Sequence, residues 1–451
     1  MREMVGKTQS LCPECLYRIP AKKVSESGNI YLEKECPEHG SFKTLIWRGD
    51  AESYLDWGKY SQKAVQPLRS ITEVGNGCPY DCGLCPEHKG NACTMVMEVT
   101  QRCEMGCPVC FASSDQFLGY EPDLKTIQEM YEIILQVTGT PTIQLSGGEP
   151  TLRHDLPEIV ALGRRMGFQH IMINTNGVRI AKDIEYLQKL ADAGAGTIFL
   201  QFDGVTDEVY RYTCGVNLFD LKSKAIYNCA EVKIGVILVP TLIPAVNDHQ
   251  LGGIIQFAKS WISPVRGVHI QPISYFGRYP AMPEDGDRIT IPEVIDKLVK
   301  QTGGELKPEN FLPRRSEDSH CSFSSLFILD GGRLQAITRR LPEELVTGWG
   351  GYYKAGWESA RSFMNLHWQM INVEQVLTSK NCSCMDTLYQ KVATNGLTIT
   401  CMPFQDVWNI DLERLKRCCG HVVTPNKQII PFCAYYLNSV SGKRLYPTPF
   451  H

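Results

Sequence analysis

The chain carries the spacing CxxxCxxC twice, at Cys78, Cys82, Cys85 and again at Cys103, Cys107, Cys110. Little else constrains its folding as strongly, because each triplet must close as a short loop with its thiols converging. Three thiolates at this spacing hold three irons of a cubane cluster and leave the fourth iron open. The second triplet directly follows the apolar run Met95-Val-Met-Glu-Val-Thr100, which places it at the end of a strand. Further along, Thr142-Ile-Gln-Leu-Ser-Gly-Gly-Glu-Pro150 reads as another strand, ending in a glycine pair and a carboxylate.

At 451 residues the chain is long enough for a large core and more than one domain. A formal charge of −3 and 43% hydrophobic content exclude the basic face of a nucleic-acid binder. No run approaches the roughly eighteen apolar residues of a spanning helix, and MREMVGKTQSLCPEC has no apolar signal core. Nineteen cysteines would suit a disulfide scaffold only in a small secreted chain. Grouped at metal spacings in a chain of this size, they lead us to expect a reduced, cytoplasmic, metal-loaded protein.

Four segments separate by pattern. Residues 1–66 hold Cys12-Pro-Glu-Cys15, a polar hairpin around Gly28, and Cys36-Pro-Glu-His39. Two ligand pairs on turns make a ribbon or rubredoxin-like site in which Cys12, Cys15, Cys36 and His39 bind one iron or zinc. Residues 67–94 form an auxiliary cluster segment. Cys93 would add a fourth thiolate to Cys78, Cys82 and Cys85, with His88 in reserve; without it this is a second open-iron site. Residues 95–305 alternate strands near 95–100, 142–146, 170–174, 197–203, 233–242 and 267–274 with helices near 122–137, 154–167, 180–194, 218–230, 248–261 and 291–301. Six β/α units without a dinucleotide fingerprint predict a parallel, barrel-like sheet with its site at the strand C-terminal ends. Polar groups recur there: Ser146 to Glu149, Asn174 to Gly177, Gln201 to Gly204, and Gln271-Pro272. Residues 306–451 lose the rhythm and regain cysteine. Cys401, Cys418 and Cys433, joined by Cys384 or Cys321, are expected to hold a further cluster, against the simpler reading of buried free thiols. Cys214 and Cys229 read as packing residues.

The Cys103 triplet followed by the strand-end Gly-Gly-Glu resembles the radical S-adenosylmethionine (SAM) enzymes. The resemblance implies an α/β fold, a partial (β/α)6 TIM-like barrel between an N-terminal rubredoxin- or zinc-ribbon-like domain and a C-terminal auxiliary-cluster domain. It assigns Cys103, Cys107 and Cys110 to the catalytic cluster, whose open iron the methionyl group of SAM chelates. Gly147 and Gly148 would let the backbone approach that group, and Glu149 would accept from its ammonium. Asn174, Asn176, Gln201 and Asp203 become candidates for the ribose, the carboxylate and the substrate rim.

The order GCPYDCGLCPEH, EVTxRCxxxCPVCFA, LSGGEPTLR, NTNG, LQFDG, VNDH and RCxxH…IIPFCAY narrows this further. It resembles the archaeal tetraether synthase family over about residues 10–436. That family implies carbon–carbon coupling of isoprenoid chain ends on a glycerol diether lipid, a reductant such as ferredoxin or flavodoxin, and peripheral contact with the inner face of the membrane. It also implies three 4Fe–4S clusters beside the mononuclear metal, with Arg417-Cys418, His421 and Ile429 through Tyr435 serving an auxiliary one. A lipid enzyme needs a long apolar tunnel, for which Trp349 through Trp368 is the candidate lining; Arg164-Arg165, Arg314-Arg315 and Arg339-Arg340 are candidates for lipid phosphates. The stretch from Arg314 to Cys321 departs from the family pattern. The alternative is carbon methylation of a pterin, which a compact polar pocket would favour. A pure electron carrier would leave the Gly-Gly-Glu strand end without a purpose.

Overall fold

The computed structural model describes residues 2–60, 66–114, 121–338, 364, 367–370 and 390–447. Its first unit is an antiparallel meander of β1 (Arg2–Leu11), β2 (Arg18–Glu26), β3 (Asn29–Cys36) and β4 (Gly40–Arg48). The expected hairpin turns at Ser27-Gly28, both with positive φ (51° and 77°), the conformation that suits the twist of paired strands. Two further connections, at residues 12–17 and 37–39, lie at the same end of the meander and carry Cys12, Cys15 and His39, with Cys36 at the end of β3 beside them. The helix α1 (Ala51–Gly58) follows, capped by the Asp50 side chain on Ser53 N at 2.8 Å.

The second unit is one large mixed sheet. Its parallel centre runs β5 (Thr94–Thr100), β6 (Thr142–Gly147), β7 (Ile171–Thr175), β8 (Thr197–Gln201), β9 (Gly235–Val239) and β11 (Val265–Pro272), with β10 (Thr241–Leu242) paired to β11. These strands are apolar almost without interruption because both their faces are covered, one by helices and one by the barrel interior. The helices are α2 (Leu124–Thr138), α3 (Leu156–Arg165), α4 (Val178–Lys182), α5 (Ile184–Asp192), α6 (Asp207–Cys214), α7 (Phe219–Glu231), α8 (Leu251–Ser260) and α9 (Ile291–Gln301). In α2, Ile127, Met130, Tyr131 and Ile134 repeat at helical spacing and are fully buried. The expected α/β partial barrel is what the structure shows. Helix α6 was not expected; at eight residues it is too short to impose a period on the sequence.

The chain beyond residue 306 supplies both ends of this sheet. Strand β15 (Gly396–Cys401) pairs in parallel with β11, and β16 (Gly420–Val423) in parallel with β5. Antiparallel strands finish the edges: β13 (Phe323–Asp330) on β15, with β12 (Leu312–Pro313) and β14 (Arg333–Ala336) on β13, and β17 (Ile429–Pro431) on β16. Two short helices, α10 (Leu412–Leu415) and α11 (Phe432–Tyr436), close the far side. Tyr435 and Tyr436 donate to the buried Glu98 carboxylate on β5 at 2.8 and 2.7 Å, so the last motif of the chain is locked to the first barrel strand. No helix among the described residues is long and apolar enough to cross a membrane.

Candidate active site

The simplest site is in the ribbon. The ligand atoms of Cys12, Cys15, Cys36 and His39 all lie within 4.8 Å of one another. His39 Nδ1 is 3.4 Å from Cys36 Sγ and 3.7 Å from Cys12 Sγ, and Cys15 Sγ is 4.0 Å from Cys36 Sγ. Contact with His39 draws the Cys36 thiol down to about 6, toward the thiolate a metal needs. Three thiols and an imidazole converging in this way fit one tetrahedral metal. The ribbon is fastened to the C-terminal region. Ser10 Oγ donates to Ile410 O (2.6 Å), Lys34 Nζ donates to Val407 O (2.7 Å), and Lys23 pairs with the buried Asp411 at 2.6 Å.

The barrel interior holds a cavity of about 280 Å³. Cys103, Cys107 and Cys110, on the loop after β5, line it together with Gly147, Gly148, Glu149, Asn174, Asn176 and Gln201. The strand-end glycines have a close neighbour within the protein. A Cβ at Gly147 would overlap the Thr100 carbonyl, and one at Gly148 the Arg102 carbonyl. Gly148 N and Glu149 N donate to those same carbonyls at 2.8 Å each, which stitches the Gly-Gly-Glu turn to the root of the cysteine loop. Gly147 also sits at φ 129°, which disfavours a side chain. Glu149 ties two strand ends together. Its Oε1 accepts from Thr151 N (3.0 Å) and from the hydroxyls of Thr151 (2.5 Å) and Thr175 (2.7 Å), and its Oε2 accepts from Asn176 N (2.7 Å). Burial raises its carboxyl against the pull of these donors.

Asp203 is buried behind the wall. It accepts from Gln201 Nε2 (2.7 Å) and Thr241 N (2.9 Å), and so orients Gln201 from outside the cavity. Lys222, which the sequence did not single out, is buried at the same point. Its ammonium donates to Asn176 O (2.6 Å) and Gln201 Oε1 (3.2 Å). Only its place on the inner face of α7 distinguishes it from any surface lysine. Cys214, expected as packing, does pack against Cys107 and also accepts from Gln201 Nε2 at 3.2 Å.

These residues fit a cluster with SAM. Three cysteines of one loop share the cavity with Asn174 Oδ1, which is buried without a hydrogen-bond partner and is ready to accept from a ligand. Cys103, Cys107 and Cys110 would hold the cluster, whose one-electron chemistry on the sulfonium is the cofactors' own. The chain's contribution is orientation and exclusion of water.

Toward the N-terminal ends of the strands the cavity is lined by Phe199, His269, Arg314, Trp368, Cys93 and Cys419. Cys93 Sγ lies 2.7 Å from Cys419 Sγ, and Cys419 Sγ lies 2.8 Å from Glu317 Oε2. Cys93 faces this cavity, while Cys78, Cys82, Cys85 and His88 line a separate small pocket against Leu415, Lys416 and Pro431. The cause is a braid of backbone: Lys89 N donates to Lys416 O and Cys93 N to Cys419 O, which turns Cys93 inward. His88 Nε2 is 3.2 Å from His421 Nε2, a histidine pair between the two cysteine-bearing segments. Cys418 feels the Cys433 and Cys321 thiols, whereas Cys401 is buried at the end of β15 with burial alone raising its thiol. Cys384, Trp349, Trp357 and Arg339-Arg340 lie outside the described residues; Met364 and Trp368 line the barrel cavity.

Residues 97–258 match the Radical SAM superfamily, and residues 4–48 match the HMPTM N-terminal zinc ribbon domain. With a three-cysteine loop at the mouth of a partial barrel, the chain is a radical SAM enzyme. It is 39% identical, over 96% of its own length and 93% of the relative's, to the 7,8-dihydro-6-hydroxymethylpterin dimethyltransferase of Methanocaldococcus jannaschii, and it belongs to that family. A shorter likeness, 34% identity over 31% of this chain and 35% of the other, joins it to the Fe-coproporphyrin III synthase of Methanosarcina barkeri. Among solved structures, Streptococcus suis SuiB bound to precursor peptide SuiA aligns with a TM-score of 0.39 at 14% identity, covering 48% of this chain and 46% of that one. The likeness over nearly the full chain is thus to a protein named as a pterin dimethyltransferase, which fits the pterin alternative better than the lipid coupling that the motif order suggested.

Proposed function

We propose that this enzyme places carbon-bound methyl groups on a reduced pterin. The observation that carries the reading is the likeness over nearly the full chain to a protein named for that substrate. The barrel interior agrees with it. A pterin is a flat bicycle with two apolar faces and an edge of alternating donors and acceptors. The cavity offers the rings of Phe199 and Trp368 for the faces, and Gln144, His269 and Arg314 for the edge. Val239, Met364, Met402, Phe404 and Phe432 also line the cavity, so it is the likeness over nearly the full chain, and not the lining, that favours a pterin over an isoprenoid chain.

In this reading Cys103, Cys107 and Cys110 hold the catalytic cluster, while Asn174, Asn176 and the Glu149-braced turn position SAM. An electron donor of the ferredoxin or flavodoxin kind supplies the electron. The test is anaerobic reconstitution with reductant, with SAM as radical source and further SAM or a reduced-pterin one-carbon carrier as methyl source. One arm holds 6-hydroxymethyl-7,8-dihydropterin and the other a glycerol diether lipid. Mass spectrometry should show the pterin gaining methyl groups. A lipid that loses hydrogens in pairs, beside an unchanged pterin, would return the function to chain coupling.

A further inference from the structure

Among the described buried arginines, one stands apart. Arg153 pairs with Asp155 and donates to two carbonyls, Arg288 grips Asp406 with both Nη atoms, and Arg266, though its Nη1 has no partner, donates to His367 O and Val392 O. Arg314 is 9% exposed and lines the barrel cavity, and its Nη2 has no hydrogen-bond partner. Among the described residues it has no ion pair. The Glu317 carboxylate, three residues on, is engaged by Cys419 Sγ and the Ser322 hydroxyl. A guanidinium held away from water without an acceptor is unfavourable, and an arginine that lines a cavity with no acceptor among the described residues calls for a ligand that completes it.

The surroundings define what that ligand is. Phe199, His269 and Trp368 cluster with ring centroids 5.2 to 6.1 Å apart. Trp368 is fixed by Nε1 donating to Thr398 Oγ1 (3.0 Å), and His269 by Nδ1 against Thr400 Oγ1 (2.7 Å). Burial, with Arg314 nearby, lowers His269 to about 3, so its imidazole is neutral and adds no repulsion to the guanidinium. The wall is therefore rigid and aromatic, with one unpaired cationic fork.

Building on the pterin reading, we propose that Arg314 is the specificity-determining residue of the cavity. Its fork donates to the C4 oxo oxygen and to the imine nitrogen N5 beside it, both acceptors, while Phe199 and Trp368 bound the ring faces. Arginine suits this role because its donors are coplanar and match two neighbouring acceptors.

The test is equilibrium dialysis of 6-hydroxymethyl-7,8-dihydropterin, under anaerobic conditions, against the cluster-loaded wild type, Arg314→Lys and Arg314→Met. Arg314→Met should bind on the order of a hundredfold more weakly, the loss expected for hydrogen bonds to a charged group. Arg314→Lys, with a charge but no fork, should fall between. The ligand-free Arg314→Met protein should melt at or above the wild-type midpoint, because an unpaired charge has left the interior. An arginine needed only for folding would show the reverse. Wild-type affinity in Arg314→Met, or a melting midpoint that drops along with affinity, overturns the role of Arg314 and leaves the pterin reading intact. A wild type that cleaves SAM yet binds no pterin overturns the pterin reading, and this inference falls with it.

Discussion

The ribbon site and the barrel cavity both gather cysteines, but they are built in opposite ways. Cys12, Cys15, Cys36 and His39 come from two turns of one meander, and their ligand atoms already converge within 4.8 Å. The floor of the barrel cavity joins Cys93 to Cys419 across 326 positions of sequence, through strands at one end of a long sheet. A site of the first kind is a property of a local loop. A site of the second kind exists only once the sheet has assembled, so its members look like ordinary core residues until then.

The largest expected effect lies in the cavity loop. Cys107→Ala should reduce SAM cleavage to background, read as 5′-deoxyadenosine after reduction, while leaving the ribbon metal in place by elemental analysis. Retained cleavage would mean that the open iron is elsewhere. Next comes a pair of variants that separates the two cysteine segments. Cys85→Ser should lose one cluster's worth of iron and its absorbance, whereas Cys93→Ser, whose thiol faces the barrel, should keep its iron count. Equal losses would place Cys93 among the ligands of the first cluster.

A smaller effect joins the two regions. Asp411 accepts from Thr8 Oγ1 (2.5 Å) and Lys23 (2.6 Å), and it also caps α10 through Glu413 N (3.0 Å). Asp411→Ala, which leaves the half-buried Lys23 without its partner, should cost about 2 kcal/mol on thermal or urea unfolding. Burial alone would raise this carboxyl; the Lys23 ammonium and the donated hydrogen bonds outweigh it and hold it below the usual range. The unfolded chain then binds the proton more readily. The contribution is present above about pH 4 and is lost as pH falls through the depressed value. Asp411→Asn should flatten that acid limb. The smallest effect is expected at Lys222. Lys222→Met removes the ammonium bridging Asn176 O and Gln201, and should weaken SAM binding about tenfold with little change in melting.

Much of this was legible in the residues before any coordinates. The ribbon ligands, the hairpin at Gly28 and the six β/α units could be read because each depends on neighbours a few positions away. Lys222 could not, and Arg314 stood out only as half of a pair for lipid phosphates, because a buried lysine or arginine is spelled no differently from one in solvent. Asp203 shows the same limit from the other side: its place at a strand end was legible, but whether it lines the cavity or braces Gln201 from behind depended on how β8 met β10.

The amino-acid order alone decided where thiols converge over short loops, and with that the zinc-ribbon-like domain, the three-cysteine loop and the radical SAM class. Spacing of a few residues is enforced by covalent geometry and survives any packing. Only the tertiary structure decided that β15 and β16, from the far end of the chain, would border the barrel and turn Cys419 and Trp368 into its cavity, with Arg314 lodged beside them. Such pairings are chosen by which edges and apolar faces remain to be buried, a competition over the whole molecule that no short stretch of sequence records.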